Sequence, residues 1–364
     1  MHVSEIDTPA LLVDLDILER NLCRVAAYTK EHGLRLRPHT KTHKSTRVGK
    51  RQLESGAVGL TVAKVGEAEV MLGTATPDLL IAYPVIGRAK LERLMEVARR
   101  THVTVALDST FAARVLSDAA RVAQVEVGVL AEVDVGLGRV GVSPGEPLVQ
   151  LAKAISRSPH LTLEGIEFYP GHIKDLEDPG RKAMANLAET LRGILADLRR
   201  AGLEAKIVSG GSTPTLFHSH EIEGLTEIRP GTYVFNDLNT VSSGGCGLED
   251  CAASILATVV STARPGQMIV DGGSKTFSSD RLVNAADVTW GRVVEAPGAR
   301  FHKMNEEHGY VDITRAEREF AIGDRVHIIP NHICVVVNLH EQVYGIRGDQ
   351  VEEVWKVEAR GKLQ

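Results

Sequence analysis

From residue 10 to about 235, short apolar runs rich in β-branched residues alternate with longer segments whose apolar residues recur every three or four positions. The short runs predict strands at 11–15 (LLVDL), 34–39 (LRLRPH), 58–63 (VGLTVA), 78–83 (DLLIAY), 102–107 (HVTVAL), 125–135 (VEVGVLAEVDV), 163–169 (LEGIEFY) and 205–211 (AKIVSGG), with a further short one at 226–231 (TEIRPG). The segments between them predict helices. In RKAMANLAETLRGILADLRRAG, for example, Met184, Leu187, Leu191, Ile194 and Leu198 share one face. Beyond about residue 250 the helical period disappears. SILATVVSTA, QMIVDGG, VTWGRVVEA, RVHIIPNHICVVVNL and EEVWKVEARG read as strands separated by Gly, Pro and Asp turns.

Repeated β-then-α units call for a parallel sheet, and about eight of them favour an α/β fold of the (β/α)₈ TIM-type barrel over an open sheet. No Gly-x-Gly-x-x-Gly follows the first strand, so the dinucleotide-binding arrangement is not indicated. The expected organisation is a barrel over residues 1–245 and a C-terminal β-rich domain over 246–364, divided near VSSGGCG, with residues 1–15 able to pack with the β-rich domain.

A chain of 364 residues has room for such a pair. Its formal net charge of -5 supplies no general field for nucleic acid or an anionic membrane. No apolar run approaches the roughly 18 residues of a membrane helix, and the acids near the N-terminus are unlike a signal peptide. Four scattered cysteines (Cys23, Cys246, Cys251, Cys334) form no disulfide framework, so a cytoplasmic location is expected.

In barrels, chemistry sits at the C-terminal ends of the strands. RLRPHTKTHKS (35–45) ends such a strand: Pro38 holds Arg37 extended, and Lys41 follows. Crowding by Arg37, His39 and His43 would favour a neutral, nucleophilic amine; a solvated basic loop is the other reading. SGGSTPT (209–215) can offer Gly210, Gly211, Ser212 and Thr213 to a phosphate, or be a capped turn. Arg229 and Tyr233 in EIRPGTYVFND, Arg139 in DVGLGRVGV and His172 in EFYPGHI also follow strands. In PNHICVVVNLH, His332 and Cys334 stand two apart in what reads as a strand, which would put both on one face as a candidate metal pair. HSH (218–220) is a weaker ligand pair, and Cys246 with Cys251 has no second pair to complete it.

Taken together, DTPALLVDLDILERN, RPHTKTHK, TVAKVGEAEVM, GLGRVGV, GGSTPT, RPGTYVFND, EEHG (306–309), PNHIC and the closing W-x-V-x-A-R-G resemble the D-threonine aldolase/D-serine dehydratase family of fold-type III, alanine racemase-like pyridoxal-phosphate enzymes. The resemblance implies a homodimer with active sites near the subunit interface, acting on a small D-amino acid. It makes Lys41 the Schiff-base lysine, with Lys44 a surface residue at a helix start, and His172 an acid or base. It implies cofactor contacts from His39, Arg139, Tyr169, Ser209, Gly210, Gly211, Ser212, Thr213, Arg229, Gly231, Thr232 and Tyr233. It assigns a divalent metal (Zn, Mn or Mg) to His332 and Cys334, and thiolate softness favours Zn²⁺.

The activity implied is cleavage of a D-3-hydroxy-α-amino acid to glycine and an aldehyde. Dehydration of D-serine or 3-hydroxyaspartate to an oxo acid and ammonia is the alternative, because His-x-Cys is typical of the dehydratase side. A non-catalytic pyridoxal-phosphate carrier would lack the β-rich domain, and a racemase would leave the metal pair without a task.

Overall fold

The computed structural model describes residues 1–283 and 288–364 and divides into two compact units. One comprises Met1–Cys23, Thr42–Ser45 and Thr232–Gly361; the other comprises Arg24–Lys41, Thr46–Gly231 and Lys362–Gln364. The expected 245/246 boundary falls inside the run Thr232–Gly361.

The chain opens with strand β1 (Ala10–Asp14) and helix α1 (Leu15–Glu31). In the barrel unit, strands β2 (Arg35–Leu36), β3 (Leu60–Val62), β4 (Asp78–Ile81), β5 (His102–Leu107), β6 (Val127–Glu132), β7 (Leu161–Glu167), β8 (Ile207–Gly210) and β9 (Glu227–Ile228) pair in parallel in the order β2-β9-β8-β7-β6-β5-β4-β3. The sheet curls until its ends meet: Val58 N–H donates to Leu36 O (2.9 Å), Thr61 N–H to Pro38 O (2.8 Å) and Thr40 N–H to Thr61 O (2.8 Å). Helices α2 (Thr46–Glu54), α3 (Val65–Met71), α4 (Arg88–Ala98), α5 (Thr110–Ala123), α6 (Glu146–Ser156) and α7 (Asp178–Arg200) connect the strands.

Sequence chemistry accounts for these elements. Every residue of β6 is buried, as a parallel strand with both faces covered requires. Ser109 caps α5 by accepting from Ala112 N–H. Helix α7 starts with Asp178 and Pro179, ends with Arg199 and Arg200, and buries the Met184–Leu198 stripe read from the sequence. Gly165 shifts the β6–β7 register; its φ is +154°, and a Cβ there would overlap the Ile207 carbonyl oxygen. Helix α6 escaped the periodicity reading because SPGEP has loop composition, yet Pro147 suits a first helical turn.

The other unit holds a nine-stranded sheet. Strands β10 (Ala253–Ser261), β11 (Gln267–Val270), β13 (Arg300–Met304), β14 (Gly309–Asp312), β16 (Gln342–Arg347) and β17 (Gln350–Lys356) join β1 in the order β13-β14-β11-β10-β1-β16-β17. Strand β15 (Arg325–Pro330) pairs with β10 and with β12 (Gly291–Val293). Thus LLVDL is not a barrel strand: β1 runs antiparallel to β10 and parallel to β16, and the short strand at TEIRPG supplies the barrel's eighth member. Helices α8 (Leu238–Ser242), α9 (Ser274–Phe277) and α10 (Ile333–Leu339) complete this unit.

The expectation of one long strand over RVHIIPNHICVVVNL is corrected. The strand stops at Pro330, which has no N–H for the ladder, and a helix starts three residues later. Asn331 Nδ2 donates to the Asp280 (3.1 Å) and Thr289 (2.6 Å) carbonyls. Buried Asp237 accepts Ile333 N–H at 3.0 Å, meeting one of the unpaired donors that begin α10.

Candidate active site

At the C-terminal mouth of the barrel unit, exposed Lys41 follows the β2 segment. Its Nζ lies 5.9 Å from the Tyr169 ring centroid, and the Arg139 guanidinium lies 4.9 Å from the same centroid. These three expected residues, from three separate strand ends, are therefore brought together around one aromatic ring. His39 Nδ1 accepts Lys41 N–H at 3.4 Å. The glycine turn bearing Arg139 folds over Asp134, whose Oδ1 accepts the N–H groups of Gly136, Leu137 and Gly138. A side chain at Gly136 would meet the His172 ring, which places His172 against this turn.

Two expectations about the lysine segment are overturned. Arg37 does not crowd Lys41 electrostatically. It is 1% exposed, its Nε donates to Glu227 Oε2 (2.9 Å), and its guanidinium also pairs with Asp78, so its charge is matched inside the barrel. Lys44 is not a surface residue. It is buried with a positive φ, its Nζ lies 3.5 Å from the Ala359 carbonyl, and its own carbonyl accepts Ala359 N–H.

Below the mouth, a polar row crosses the strands. Ser209 Oγ accepts from Arg229 (2.6 Å) and donates to Glu227 Oε1 (2.7 Å); Arg229 also donates to the Phe168 carbonyl (3.1 Å). Ser209 and Arg229 thus engage each other. Glu132 and Glu167 end β6 and β7 at matching register, both buried. Burial first, and then the Glu167 charge, pushes the Glu132 carboxyl up to about 8, and burial likewise raises Glu167. Sequence reading passed over both acids. Their only signal is an acid closing each of two apolar runs.

The segment expected to form an anion cup follows β8. Gly210 faces the Phe168 ring so closely that a Cβ would overlap it, and Gly211 turns the chain at φ +90°. Ser212 and Thr213 are buried, with Ser212 Oγ 3.1 Å from Thr215 Oγ1. Gly231 closes this unit's run and is buried. In HSH, His218 turns to Glu221 (2.7 Å) while His220 bonds Tyr28 (2.9 Å) and stacks on His32, so the two histidines serve different partners.

In the other unit, Cys334 is the second residue of α10 and His332 its extended N-cap. The pair meets at the start of this helix, where the His332 ring hydrogen-bonds Cys334, rather than through strand alternation. Thr42, which follows Lys41 in the chain, brings its Oγ1 to 3.2 Å from Cys334 Sγ, and Thr232 Oγ1 lies at 3.7 Å. His332 Nδ1 bonds Asp280 Oδ2 at 2.7 Å. Burial opposes the imidazolium, but the thiolate, Asp237 and Asp280 together push His332 up to about 10. Burial likewise opposes the Cys334 thiolate, yet the His332 hydrogen bond and charge bring its pKa below the usual thiol range. Tyr233 is buried in the turn Thr232–Val234. Cys251 is buried, and its hydrogen bond with Cys246, then burial, raises its thiol strongly. Asp237 and Asp280 were not foreseen, since each lies 50 or more residues from His332 in sequence.

The donor sets suit the groups the sequence implied. The barrel unit combines an exposed lysine, a buried arginine, a second arginine over a tyrosine ring, and a glycine turn with two hydroxyls. That set matches an aldehyde, an aromatic ring and a phosphate. The other unit offers one imidazole, held at Nδ1 by a carboxylate as metal-binding histidines are, and one thiolate. Among the described residues no group of three His, Cys, Asp or Glu gathers for a metal, so two protein donors would leave further positions open.

Comparison with known proteins finds matches along most of the chain. Residues 13–238 match the family described as alanine racemase, N-terminal domain, and residues 252–346 match the putative serine dehydratase domain. A 3-hydroxy-D-aspartate aldolase of Paracoccus denitrificans (strain Pd 1222) is 34% identical, covering 100% of this chain and 94% of its own. The D-threo-3-hydroxyaspartate dehydratase of Delftia sp. (strain HT23) is 33% identical, with 96% and 97% covered. The crystal structure of D-threonine aldolase from Filomicrobium marinum superimposes with a TM-score of 0.92 at 32% identity, covering 99% of this chain and 98% of that one.

Proposed function

Since the chain belongs to the D-threonine aldolase/D-serine dehydratase family of alanine racemase-like pyridoxal-phosphate lyases, we propose that it cleaves a D-3-hydroxy-α-amino acid to glycine and an aldehyde. The observation that carries the reading is the convergence of Lys41 and Arg139 on the Tyr169 ring at the barrel mouth.

Pyridoxal phosphate, when bound, supplies an electron sink for the pair of electrons released at Cα. Lys41 would hold its aldehyde carbon, and Arg139 and Tyr169 would receive its ring, with His39 beside the lysine. The turn of Gly210, Gly211, Ser212 and Thr213 would bind its phosphate, with Ser209 and Gly231 at the strand ends nearby; Thr232 and Tyr233, assigned to the cofactor by the family resemblance, belong to the other unit. Arg229, fixed by Ser209 and the Phe168 carbonyl, would serve the ring nitrogen. Cys334 Sγ and His332 would hold a divalent metal, Zn²⁺ by thiolate preference, lending a Lewis acid for the substrate hydroxyl.

In the cleavage, the Cα–Cβ bond breaks, the β-hydroxyl gives up its proton as the aldehyde forms, and Cα takes one up to become glycine. No redox partner is needed. His172 is the base for the hydroxyl proton, held against the glycine turn that folds over Asp134. The resemblance to aldolases at 34% identity and at a TM-score of 0.92 supports cleavage. A second reading, dehydration to an oxo acid and ammonia with Lys41 taking the α-proton, draws on the 33% identity to the Delftia dehydratase. A homodimer in a reducing cytoplasm is the accompanying proposal. Among the described residues no helix is long and apolar enough to cross a membrane.

Product analysis with D-threonine, D-serine and D-3-hydroxyaspartate tests the choice. Glycine plus an aldehyde is expected. Ammonia plus an oxo acid from every substrate turned over would replace cleavage by dehydration.

A further inference from the structure

The barrel interior holds more acid than its cations balance. Arg37 and Arg229 are the buried cations of the row described above, and they face Asp78, Glu227, Glu167 and Glu132. Arg37 is matched by Glu227 and Asp78. Arg229 Nη1 lies 3.9 Å from Glu167 Oε2. Glu132 sits one strand further along, at the position that pairs in register with Glu167. Matching positions on parallel neighbours point to the same face, with strands about 4.8 Å apart, so the two carboxyl groups lie side by side. Among the described residues, Oε2 of each is buried without a hydrogen-bond partner.

Two carboxylates at that spacing, away from water, do not both ionise readily. The groups facing Glu132 are Glu167 on β7, Arg229 after β9, Arg139 in the glycine turn and Asp108 after β5. Those facing Glu167 include Arg229, Glu227 on β9, Arg139 and Arg37 on the β2 segment.

We propose that Glu132 and Glu167 hold one proton between them, resting on Glu132, and that this acid–carboxylate pair is a positioning element for Arg229. The pair then carries one negative charge beside Arg229, with Arg139 and Arg37 the other cations that face it. Loss of the shared proton to solvent at the mouth leaves two negative charges, which draw the guanidinium toward the acids and away from whatever it faces above. The effect on a cofactor rests on the pyridoxal-phosphate reading; the shared proton does not.

Infrared spectroscopy separates the two. In cofactor-free protein at pH 7, the wild-type-minus-Glu132→Gln spectrum should show a carboxylic-acid carbonyl band that shifts in D2O and titrates away with a midpoint near the value of about 8 set by the site. Glu167→Gln removes the neighbouring charge but not the burial, so the band should titrate away at a lower pH than in wild type. Glutamine mimics the protonated acid in size and charge, so both variants keep the packing. No band in the first difference spectrum, or a band whose midpoint is unchanged in Glu167→Gln, overturns the shared proton. In holoenzyme, the visible absorbance should bend with pH over the same range in wild type and not in Glu132→Gln; identical profiles overturn the positioning of Arg229. A protein that shows the band but takes up no pyridoxal phosphate would sink the cofactor reading and leave the shared proton standing.

Discussion

Replacing Arg37 by methionine removes the guanidinium and keeps much of the buried volume. Arg37 is 1% exposed and its Nε partner Glu227 is 0% exposed, at 2.9 Å. At charge separations near 4 Å, each such attraction is about 4 kcal/mol at an effective dielectric of about 20. Much of that offsets the desolvation both groups suffer, so the pair's net worth is small. Removing one member is a different perturbation, because among the described residues Glu227 is left buried with the Ser209 hydroxyl as its side-chain donor. Loss of one partner of a buried pair costs about 3–5 kcal/mol. Asp78, whose side chain is 18% exposed, is better screened and adds less. Urea unfolding followed by circular dichroism should therefore show Arg37→Met losing at least about 3 kcal/mol in the barrel transition. Arg37→Met/Glu227→Gln should recover part of the loss by neutralising the stranded acid. A single variant within about 1 kcal/mol of wild type, or a double variant no more stable than the single, would refute the argument.

Lys41→Ala should abolish borohydride trapping of pyridoxal phosphate, read by intact mass; trapping retained at another lysine would remove Lys41 from its role. Cys334→Ala should purify with less bound divalent metal than wild type by elemental analysis, and equal metal content would leave the cysteine structural. Gly165→Ala should collapse the yield of folded protein, since the new Cβ would overlap the Ile207 carbonyl oxygen at a φ of +154°; a wild-type melting curve would contradict this. His102 is raised by its hydrogen bond to Glu164, so its stabilisation is complete below its unfolded value and lost as pH rises through the raised folded value. Glu164 is lowered because bonds from His102 and Thr104 outweigh its burial, so its share is lost only as pH falls through the depressed value. His102→Gln should accordingly destabilise more at pH 6 than at pH 9, as urea midpoints at the two values would show.

The sequence by itself determined the strand–helix alternation, the helical stripe of α7, the change of pattern near residue 250 and the strand ends where Lys41, Arg139, Tyr169, His172 and the Gly210–Thr213 turn stand. Each follows from local period or local turn chemistry, which a linear chain displays. Tertiary structure decided which sheet took each strand. Strands β1 and β6 are both short apolar runs, and only pairing partners tell the nine-stranded sheet from the barrel. It also decided where charges went. Arg37 lies four residues before Lys41, yet it turns inward to acids 41 and 190 positions away. His332 and Cys334 are neighbours through a helix cap set by Asp237, which lies almost a hundred residues earlier. Electrostatic partners of this kind have no period and no fixed spacing. Closure of the barrel and docking of the cap bring them within reach, and there burial fixes which of them keep their protons.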